Sequence, residues 1–465
     1  MKYTVMILIA LAACSDDVYS REKLQDPNTC MDCHQTHYTQ WSGSMHAYAS
    51  DDPVFVAMNK RGNRETNGAL GTFCIKCHAP MAIENGTITD ANAGDFDPQA
   101  LSPAERGITC YFCHNVDKVV SDHNNGLVIA NDQTMRGGAK NPVDSPAHHS
   151  KYDKLIHSDT NESELCGSCH DIVLPNGVPI ERTFMEWKQG VFSKPDVHLT
   201  CGNCHMRPSD GVIADGPGLG VKSRPLGMHQ HTFPAIDQAL TPWPETAAQT
   251  TGIGEILDPS IGIVGPKPRT STRAPGGICL DQPGLLSVRI DSLNLGHSFP
   301  SGSAFDRRVW VEVTAYRTDN SIVFQSGKTP DGVDPEVADP NVFGMWDRAF
   351  KSDGTPAHFF WDVATVDSSK LLKGSLTFDQ NDAAFDHSVT ARFNVPSMGE
   401  IDRIEAQVWV RPLPFETLHQ LVASGDLAPE VLTQLKTLKP KYAKSTWLFA
   451  TKGTGLATLT NCNPE

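Results

Sequence analysis

The stretch Cys30-Met31-Asp32-Cys33-His34 decides the fold of this 465-residue chain, because its pattern, Cys-x-x-Cys-His, occurs five times. The other four copies run from Cys74 to His78, Cys110 to His114, Cys166 to His170 and Cys201 to His205. Two thiols three positions apart lie close together on a helical turn, where they can form thioethers to the two vinyl groups of one haem. The His that follows then reaches the iron as its proximal ligand. The sequence therefore predicts five haem c groups.

The predicted attachment residues follow directly from the motif. The thioether-forming cysteines are Cys30, Cys33, Cys74, Cys77, Cys110, Cys113, Cys166, Cys169, Cys201 and Cys204. The proximal ligands are His34, His78, His114, His170 and His205. Zinc ribbons and redox-active dithiols also use Cys-x-x-Cys pairs, but neither needs a His directly after the second Cys, so the pattern favours haem.

Three cysteines remain, and the first lies in a predicted targeting segment. Residues 1–13 combine Lys2 with a short apolar run, which is typical of a signal peptide. The run ends in Leu11-Ala12-Ala13-Cys14, which resembles a bacterial lipobox and predicts lipidation of Cys14. The alternative is a plain secretory signal with an incidental Cys. A neutral Ser15 after the Cys favours an outer-membrane lipoprotein that faces the periplasm or the cell surface.

The other two cysteines flank the carboxy-terminal region. An exported protein meets an oxidising environment, in which Cys279 and Cys462 can form a disulfide that closes a long loop. Two unpaired buried thiols are the alternative.

The distal face of each iron determines what that haem can do. A second protein ligand is typical of an electron-transfer centre, whereas an open position allows substrate to bind. The predicted distal candidates are His46, His149, His157, His229, His231 and His297. One of the neighbours His148 and His149 is expected to ligate, and we prefer His149; Met45 is a weaker alternative to His46. His37, His123 and His198 are held in reserve, and His358, His387 and His419 are interpreted as scaffold.

The spacing of the motifs predicts how the chain is organised. Residues 14–235 hold every motif at roughly 40 residues per haem, which is too little polypeptide to give each haem its own core. We therefore expect short helices and loops packed around haems that contact one another. Residues 236–275 are rich in Pro, Gly and Thr and are predicted to be a linker.

Residues 276–465 change in character and predict an all-β domain. Apolar and polar residues alternate in segments that we predict to be strands, at 285–290, 308–316, 321–324, 389–395 and 403–410. Several such strands separated by turns favour an antiparallel sandwich, interrupted by a helix near 415–438. The predicted fold is thus a mostly irregular and α-helical multihaem cytochrome domain followed by a β-sandwich domain.

The formal net charge of −15 indicates an acidic protein. An acidic field excludes nucleic acid as a natural partner and favours docking to basic redox proteins. The other expected associations are with a membrane, through the lipid anchor, and with an outer-membrane complex or further copies of the chain.

The motifs and their surroundings resemble multihaem cytochromes c of the tetrahaem cytochrome and hydroxylamine oxidoreductase lineage. The resemblance rests on residues 30–46, 165–170, 186–206 and 296–302. It implies that His46 is a distal ligand and that the His-x-Phe-Pro segments at His231 and His297 lie near haems. Members of this group are mostly electron carriers, and some are enzymes of nitrogen or sulfur compounds.

These observations predict an exported pentahaem cytochrome that transfers electrons through closely packed bis-His haems. The alternative is an oxidoreductase in which one open haem acts on a small nitrogen or sulfur compound. The absence of a Cys-x-x-Cys-Lys motif favours the electron carrier without deciding the question.

Overall fold

The computed structural model describes residues 18–156, 160–257, 267–272, 274–282, 285–291, 295–395, 401–439 and 444–448. Three sequence-based expectations, the signal peptide at 1–13, Cys14 and Cys462, therefore lie outside the described residues, as does His157. Cys279 lies in a described strand, but its side chain is not described.

Most helices precede the carboxy-terminal region and are short. They are α1 (Arg21–Gln25), α2 (Asn28–Met31), α3 (Gln35–Ser42), α4 (Met45–Tyr48), α5 (Pro53–Glu65), α6 (Ile75–His78), α7 (Pro80–Glu84), α8 (Cys110–His114), α9 (Thr160–Gly167), α10 (Thr183–Gln189), α11 (Cys201–His205), α12 (Thr246–Ile256), α13 (Pro335–Ala338) and α14 (Phe415–Ala423). Within the described residues, no helix is long and apolar enough to cross a membrane.

The haem-motif region also contains small two-stranded sheets. Their strands are β1 (Val116–Ser121), β2 (Gly126–Ile129), β3 (Thr134–Gly137), β4 (His149–Tyr152), β5 (Ile172–Val173), β6 (Pro179–Glu181), β7 (Pro208–Gly211) and β8 (Arg224–His229). Consecutive strands pair, and only β3 and β4 are parallel among these pairs. Strand β3 places the Arg136 carbonyl beside the motif histidine His114, and β6 places the Glu181 carboxylate beside His170.

Larger sheets follow in the carboxy-terminal region. The strands there are β9 (Lys267–Thr272), β10 (Ala274–Gln282), β11 (Leu285–Asp291), β12 (Arg308–Tyr316), β13 (Ile322–Ser326), β14 (Phe343–Gly344), β15 (Arg348–Phe350), β16 (Thr365–Asp367), β17 (Ser388–Asn394), β18 (Arg403–Arg411) and β19 (Lys444–Leu448). One antiparallel sheet has the order β10-β9-β11-β17, a second has the order β13-β12-β18-β19 with β14 beside β12, and β15 pairs with β16. The five predicted strands are confirmed, each to within two residues of its predicted ends.

Alternate residues on these strands build a common apolar cluster. The cluster takes Leu286, Val288 and Ile290 from β11, and Val309, Val311, Val313 and Ala315 from β12. It continues with Ala391 and Phe393 from β17, and with Ile404, Ala406, Val408 and Val410 from β18. The period of two puts these side chains on one face of each strand, as the alternation in the sequence predicts.

Two local expectations differ from the structure. The helix predicted at 415–438 ends at Ala423, because Gly425 adopts φ +75 and Pro429 follows, and only a short 3₁₀ turn (Pro429–Thr433) comes after it. The predicted linker contains α12, whose Ile253 and Ile256 are buried, so this part is a packed helix rather than an irregular connection.

The regions on either side of the predicted linker pack against each other. Val54 and Met58 of α5 share an apolar cluster with Leu418 and Leu421 of α14. The Arg64 guanidinium on α5 also forms a bidentate ion pair with the Asp426 carboxylate, at 2.6 Å for both oxygens. The carboxy-terminal region therefore supports the helices that carry the motifs.

Candidate haem-binding sites

Each attachment motif lies at a helical turn. Helices α8 and α11 contain the whole third and fifth motifs, and α6 contains the second from the residue after Cys74. Helices α2 and α9 each contain only the first cysteine of the first and fourth motifs. The Thr109 hydroxyl accepts the Phe112 N–H at 3.3 Å, and Thr200 and Asn203 form a reciprocal capping box. Such caps satisfy N–H groups that a short helix leaves unpaired. The short helices predicted at the motifs are confirmed.

Four of the five motif histidines have the same Nδ1 partner, a backbone carbonyl from a distant segment. The N···O distances are 2.7 Å from His34 to Ile213, 2.9 Å from His78 to Ala49, 2.6 Å from His114 to Arg136 and 2.8 Å from His205 to Pro234. Because a carbonyl only accepts, Nδ1 carries the proton. Nε2 is then left as the ligand nitrogen, and the ring orientation is fixed.

His170 differs, because its Nδ1 faces a carboxylate. Oε1 of Glu181 lies 3.6 Å away, and the Glu181 side chain is only 12 % exposed. The hairpin of β5 and β6, which pairs Ile172 with Glu181, begins just after the fourth motif and folds this carboxylate back onto the ring. Burial lowers the pKa of His170, but the negative charge of Glu181 outweighs burial and raises that pKa.

Four motif imidazoles face a second imidazole at nearly the same distance. The centroid separations are 6.4 Å for His34 and His148, 6.2 Å for His114 and His231, 6.1 Å for His170 and His46, and 6.3 Å for His205 and His297. A ligating imidazole nitrogen lies roughly 2 Å from its metal, so two imidazoles on opposite faces of one iron have centroids about 6 Å apart. The four pairs therefore fit haem iron with two axial histidines.

The protonation of these rings also suits ligation. Burial lowers the pKa of His46 to about 3 and that of His205 to about 4, and it lowers the pKa of His231 well below its ordinary value. Only a neutral imidazole can donate its lone pair to a metal. These rings are therefore held in the ligand-competent form at neutral pH.

The structure places three of the predicted distal candidates, His46, His231 and His297, opposite motif histidines. The geometry favours His148 over the predicted His149, whose side chain is 54 % exposed and pairs with Asp144 at 3.3 Å. Adjacent residues of an extended segment point in opposite directions, so only one of the two can reach the site.

Other histidines considered as distal ligands lie elsewhere around the sites. The backbone carbonyl of His229 accepts Nδ1–H of His231 at 2.8 Å, so His229 supports a distal candidate through its main chain. His37, one turn beyond His34, is half-buried, and burial lowers its pKa to about 4. Its ring lies edge-on to that of His34 at a centroid distance of 6.2 Å and 4.7 Å from that of His231, so His37 is a second neighbour of His34 beside His148. His123 pairs with Asp122 at 3.0 Å.

The second motif has a different environment. The ring contact of His78 is with Phe55, which stacks parallel to the imidazole at a centroid distance of 4.0 Å and an interplanar angle of 5°. This contact covers the flank of the imidazole and adds to the Ala49 hydrogen bond in fixing its orientation. In the part of the chain that the structure describes, none of the 6 Å imidazole pairs includes His78.

Contacts between motifs show which attachment sites are neighbours. The thiol of Cys30 interacts with that of Cys110, Cys77 with Cys169, and Cys166 with Cys201. These contacts place the first motif beside the third, and the fourth beside both the second and the fifth. The attachment motifs therefore lie close to one another in the fold.

Phe233 lies between the two groups of neighbouring motifs, the first with the third, and the fourth with the second and fifth. Its ring lies 5.6 Å from that of His231 and 4.3 Å from that of His46, the facing histidines of the third and fourth motifs. Phe233 has φ +46, a conformation that a bulky residue rarely adopts. The strained backbone carries the ring into the space between these two histidines.

Several supporting groups were not predicted from the sequence. The carbonyls of Ile213, Ala49, Arg136 and Pro234 have no side-chain signal that could reveal them. Glu181 could have been suspected only from its place after the fourth motif, at the end of a short hairpin with Asn176-Gly177 at its turn.

Comparisons with known proteins identify a similar family and a similar fold. The family model described as cytochrome c554 and c-prime matches residues 29–115, which contain the first three motifs. A penta-heme cytochrome c552 from Thermochromatium tepidum has a similar structure, with a TM-score of 0.55 and 17 % sequence identity over 93 % of this chain and 99 % of that chain. No curated protein matches the chain. At that identity the structural likeness shows the fold alone. The attachment motifs, the family match and the shared fold together support a multihaem c-type cytochrome.

Proposed function

We propose that this chain is a pentahaem c-type cytochrome that transfers electrons, with bis-His ligation at four of its five haems. The observation that carries the proposal is the recurrence of imidazole pairs at 6.1–6.4 Å, each containing a motif histidine. Haem iron supplies the one-electron redox chemistry, and a second axial histidine closes the iron to substrate. The chain itself orients the imidazoles and brings the attachment sites together.

The proximities of the attachment sites support a branched route for electrons. The first site adjoins the third, and Phe233 connects the facing histidines of the third and fourth sites. The fourth site also adjoins the second and the fifth. We therefore place the fourth site at a junction with three neighbours, while the first, second and fifth sites form the ends.

A second candidate function is catalysis at the second site. The observation behind it is that, among the described residues, none of the imidazole pairs includes His78, whose ring has Phe55 stacked on its flank rather than across from its Nε2. An iron with one histidine could bind a small nitrogen or sulfur compound, as the alternative from the sequence has it. His157, a predicted distal ligand, lies outside the described residues.

A His157→Ala variant distinguishes these two functions. If His157 is the sixth ligand at the second site, the variant gains a high-spin ferric signal that the wild-type protein lacks. If the second site is open, wild-type protein already has that signal, binds cyanide and is unchanged by the substitution. Turnover of nitrite or a related compound by the wild-type protein would establish the enzymatic function.

The arrangement of the carboxy-terminal region is also part of the proposal. The apolar cluster shared by both larger sheets supports an antiparallel sandwich, and His297 on the adjoining loop supports a role for this region in completing the fifth site. The Cys279–Cys462 disulfide and the relation to the hydroxylamine oxidoreductase lineage remain predictions from the sequence.

We further propose that the protein is exported and anchored by a lipid at Cys14. The support is the lipobox-like segment together with the thioether chemistry, which in bacteria follows export. The net charge of −15 supports docking to basic redox proteins. Metabolic labelling with a radioactive fatty acid tests the anchor: wild-type protein should carry label and a Cys14→Ser variant should not.

A stepwise redox titration tests the electron-transfer function. The full-length holoprotein, reduced in a spectroelectrochemical cell, should take up five electrons reversibly, one for each haem counted by mass. An uptake of fewer than five electrons by protein with five attached haems would contradict the proposal.

A further inference from the structure

The fourth site differs from the other four in one feature that affects its iron directly, which is the partner of the proximal imidazole. Four motif histidines donate Nδ1–H to a neutral backbone carbonyl, whereas His170 faces the carboxylate of Glu181. We propose that Glu181 is a positioning residue that lowers the reduction potential of the haem at the fourth site. This inference rests on the proposed function, because it assumes that His170 ligates an iron.

The chemical basis is the effect of a negative charge on an axial imidazole. A carboxylate 3.6 Å from Nδ1 stabilises positive charge on the ring, so the ring becomes a stronger electron donor through Nε2. A stronger axial donor favours ferric over ferrous iron, which lowers the potential. A neutral carbonyl beside Nδ1 carries no net charge, so its effect on the reduction potential is much weaker.

The surroundings of Glu181 preserve its influence. The Glu181 side chain is only 12 % exposed, whereas that of His170 is 54 % exposed, so solvent reaches the interaction from the side of the imidazole and not from that of the carboxylate. One cation that interacts with Glu181, Arg307, is already paired with the Asp237 carboxylate through both of its terminal nitrogens and with the Pro412 carbonyl at 2.9 Å. Asp171, which also lies near Glu181, is paired with Arg182 at 2.9 Å.

A lower reduction potential at the fourth haem matters because the fourth site lies at the junction of the proposed electron route. The fourth site adjoins the second and fifth sites through cysteine contacts and the third through Phe233. A junction with a lower potential than its neighbours does not retain electrons. The carboxylate would therefore keep the branch point oxidised and leave electrons on the three arms.

The test compares Glu181→Gln with a charge-matched control, Glu164→Gln. Gln has the size of Glu and keeps an oxygen that can accept from Nδ1, so it reproduces the neutral partner of the other sites. Glu164 is exposed on α9, the helix that carries Cys166, so its replacement removes one charge from the same neighbourhood without changing an imidazole partner. Potentiometric titration of each full-length holoprotein, followed by optical and electron paramagnetic resonance spectra, resolves the individual haems.

We expect the potential of the fourth haem to rise most in Glu181→Gln, with altered g values for its iron and a smaller rise at the second haem, because the Glu181 charge also acts on His78. No comparable rise is expected in Glu164→Gln. The inference is overturned if no potential moves in Glu181→Gln protein that retains five haems, or if both variants shift all potentials alike. If Glu181→Gln fails to retain its haems, Glu181→Asp replaces it: the shorter carboxylate should raise the potential of the fourth haem by a smaller amount, and no rise overturns the inference. Wild-type protein without four low-spin irons would instead contradict the proposed function.

Discussion

Replacing His148 with Ala separates the two neighbouring histidines that the sequence could not distinguish. The His148 ring faces His34 at 6.4 Å, whereas His149 points to solvent and pairs with Asp144. His148→Ala should therefore remove a sixth ligand from the first site. His149→Ala is the matched control, since it deletes the same side chain one position away.

The expected magnitude follows from the four imidazole pairs. One pair of four is lost in His148→Ala, so a quarter of the low-spin ferric signal from these pairs should convert to high-spin. His149→Ala removes only an exposed contact with Asp144, and such surface contacts contribute little to stability. Its spectrum and its unfolding curve should match those of the wild-type protein.

The assay is quantitative electron paramagnetic resonance of both oxidised variants at equal haem content. Added imidazole should restore the low-spin signal in His148→Ala by entering the vacated position. The assignment would be refuted if His149→Ala lost the low-spin signal and His148→Ala kept it.

Three further changes test the packing around the sites. Leu418→Ala, at a fully buried position between α14 and α5, should cost about 2–5 kcal/mol of unfolding free energy in urea titrations, and an unchanged midpoint would show that the two regions do not support each other. Burial raises the pKa of Asp306 from 3.8 to about 7, so folding favours its protonated form: the free energy of unfolding should fall as pH rises from about 4 to about 7, and Asp306→Asn should remove that part of the slope. Phe233→Ala should disturb the electron paramagnetic resonance signals of two irons together, those of His231 and His46, and a change at only one would contradict its place between them.

The attachment residues could be predicted from sequence because covalent haem chemistry needs a fixed local spacing. Cys30, Cys33 and His34 act within five residues, and neither long-range folding nor packing alters that relation. The strands around β12 could be predicted equally well, because the alternation of apolar residues such as Val309, Val311 and Val313 directly reflects the buried face of a sheet.

The pairing of histidines could not be predicted, since it depends on contacts between distant segments. His46 faces His170, and His297 faces His205, across separations that no local pattern encodes. The choice between His148 and His149 turns on which side of an extended segment faces the site. The sequence offers the same residue type at both positions.

The helix of the predicted linker was missed for a different reason. Residues 246–256 contain several Thr and two Gly, which have poor helix propensity, and no clear apolar stripe. Burial of Ile253 and Ile256 against the larger sheets stabilises this helix, so tertiary contacts outweigh its composition.

The most direct test of the central claim is a count of irons by spin state in the mature, oxidised protein, together with its mass. The account predicts a mass increase of five haems and low-spin ferric signals from at least four irons with two axial histidines. Fewer than five attached haems, or fewer than four low-spin irons, would contradict it.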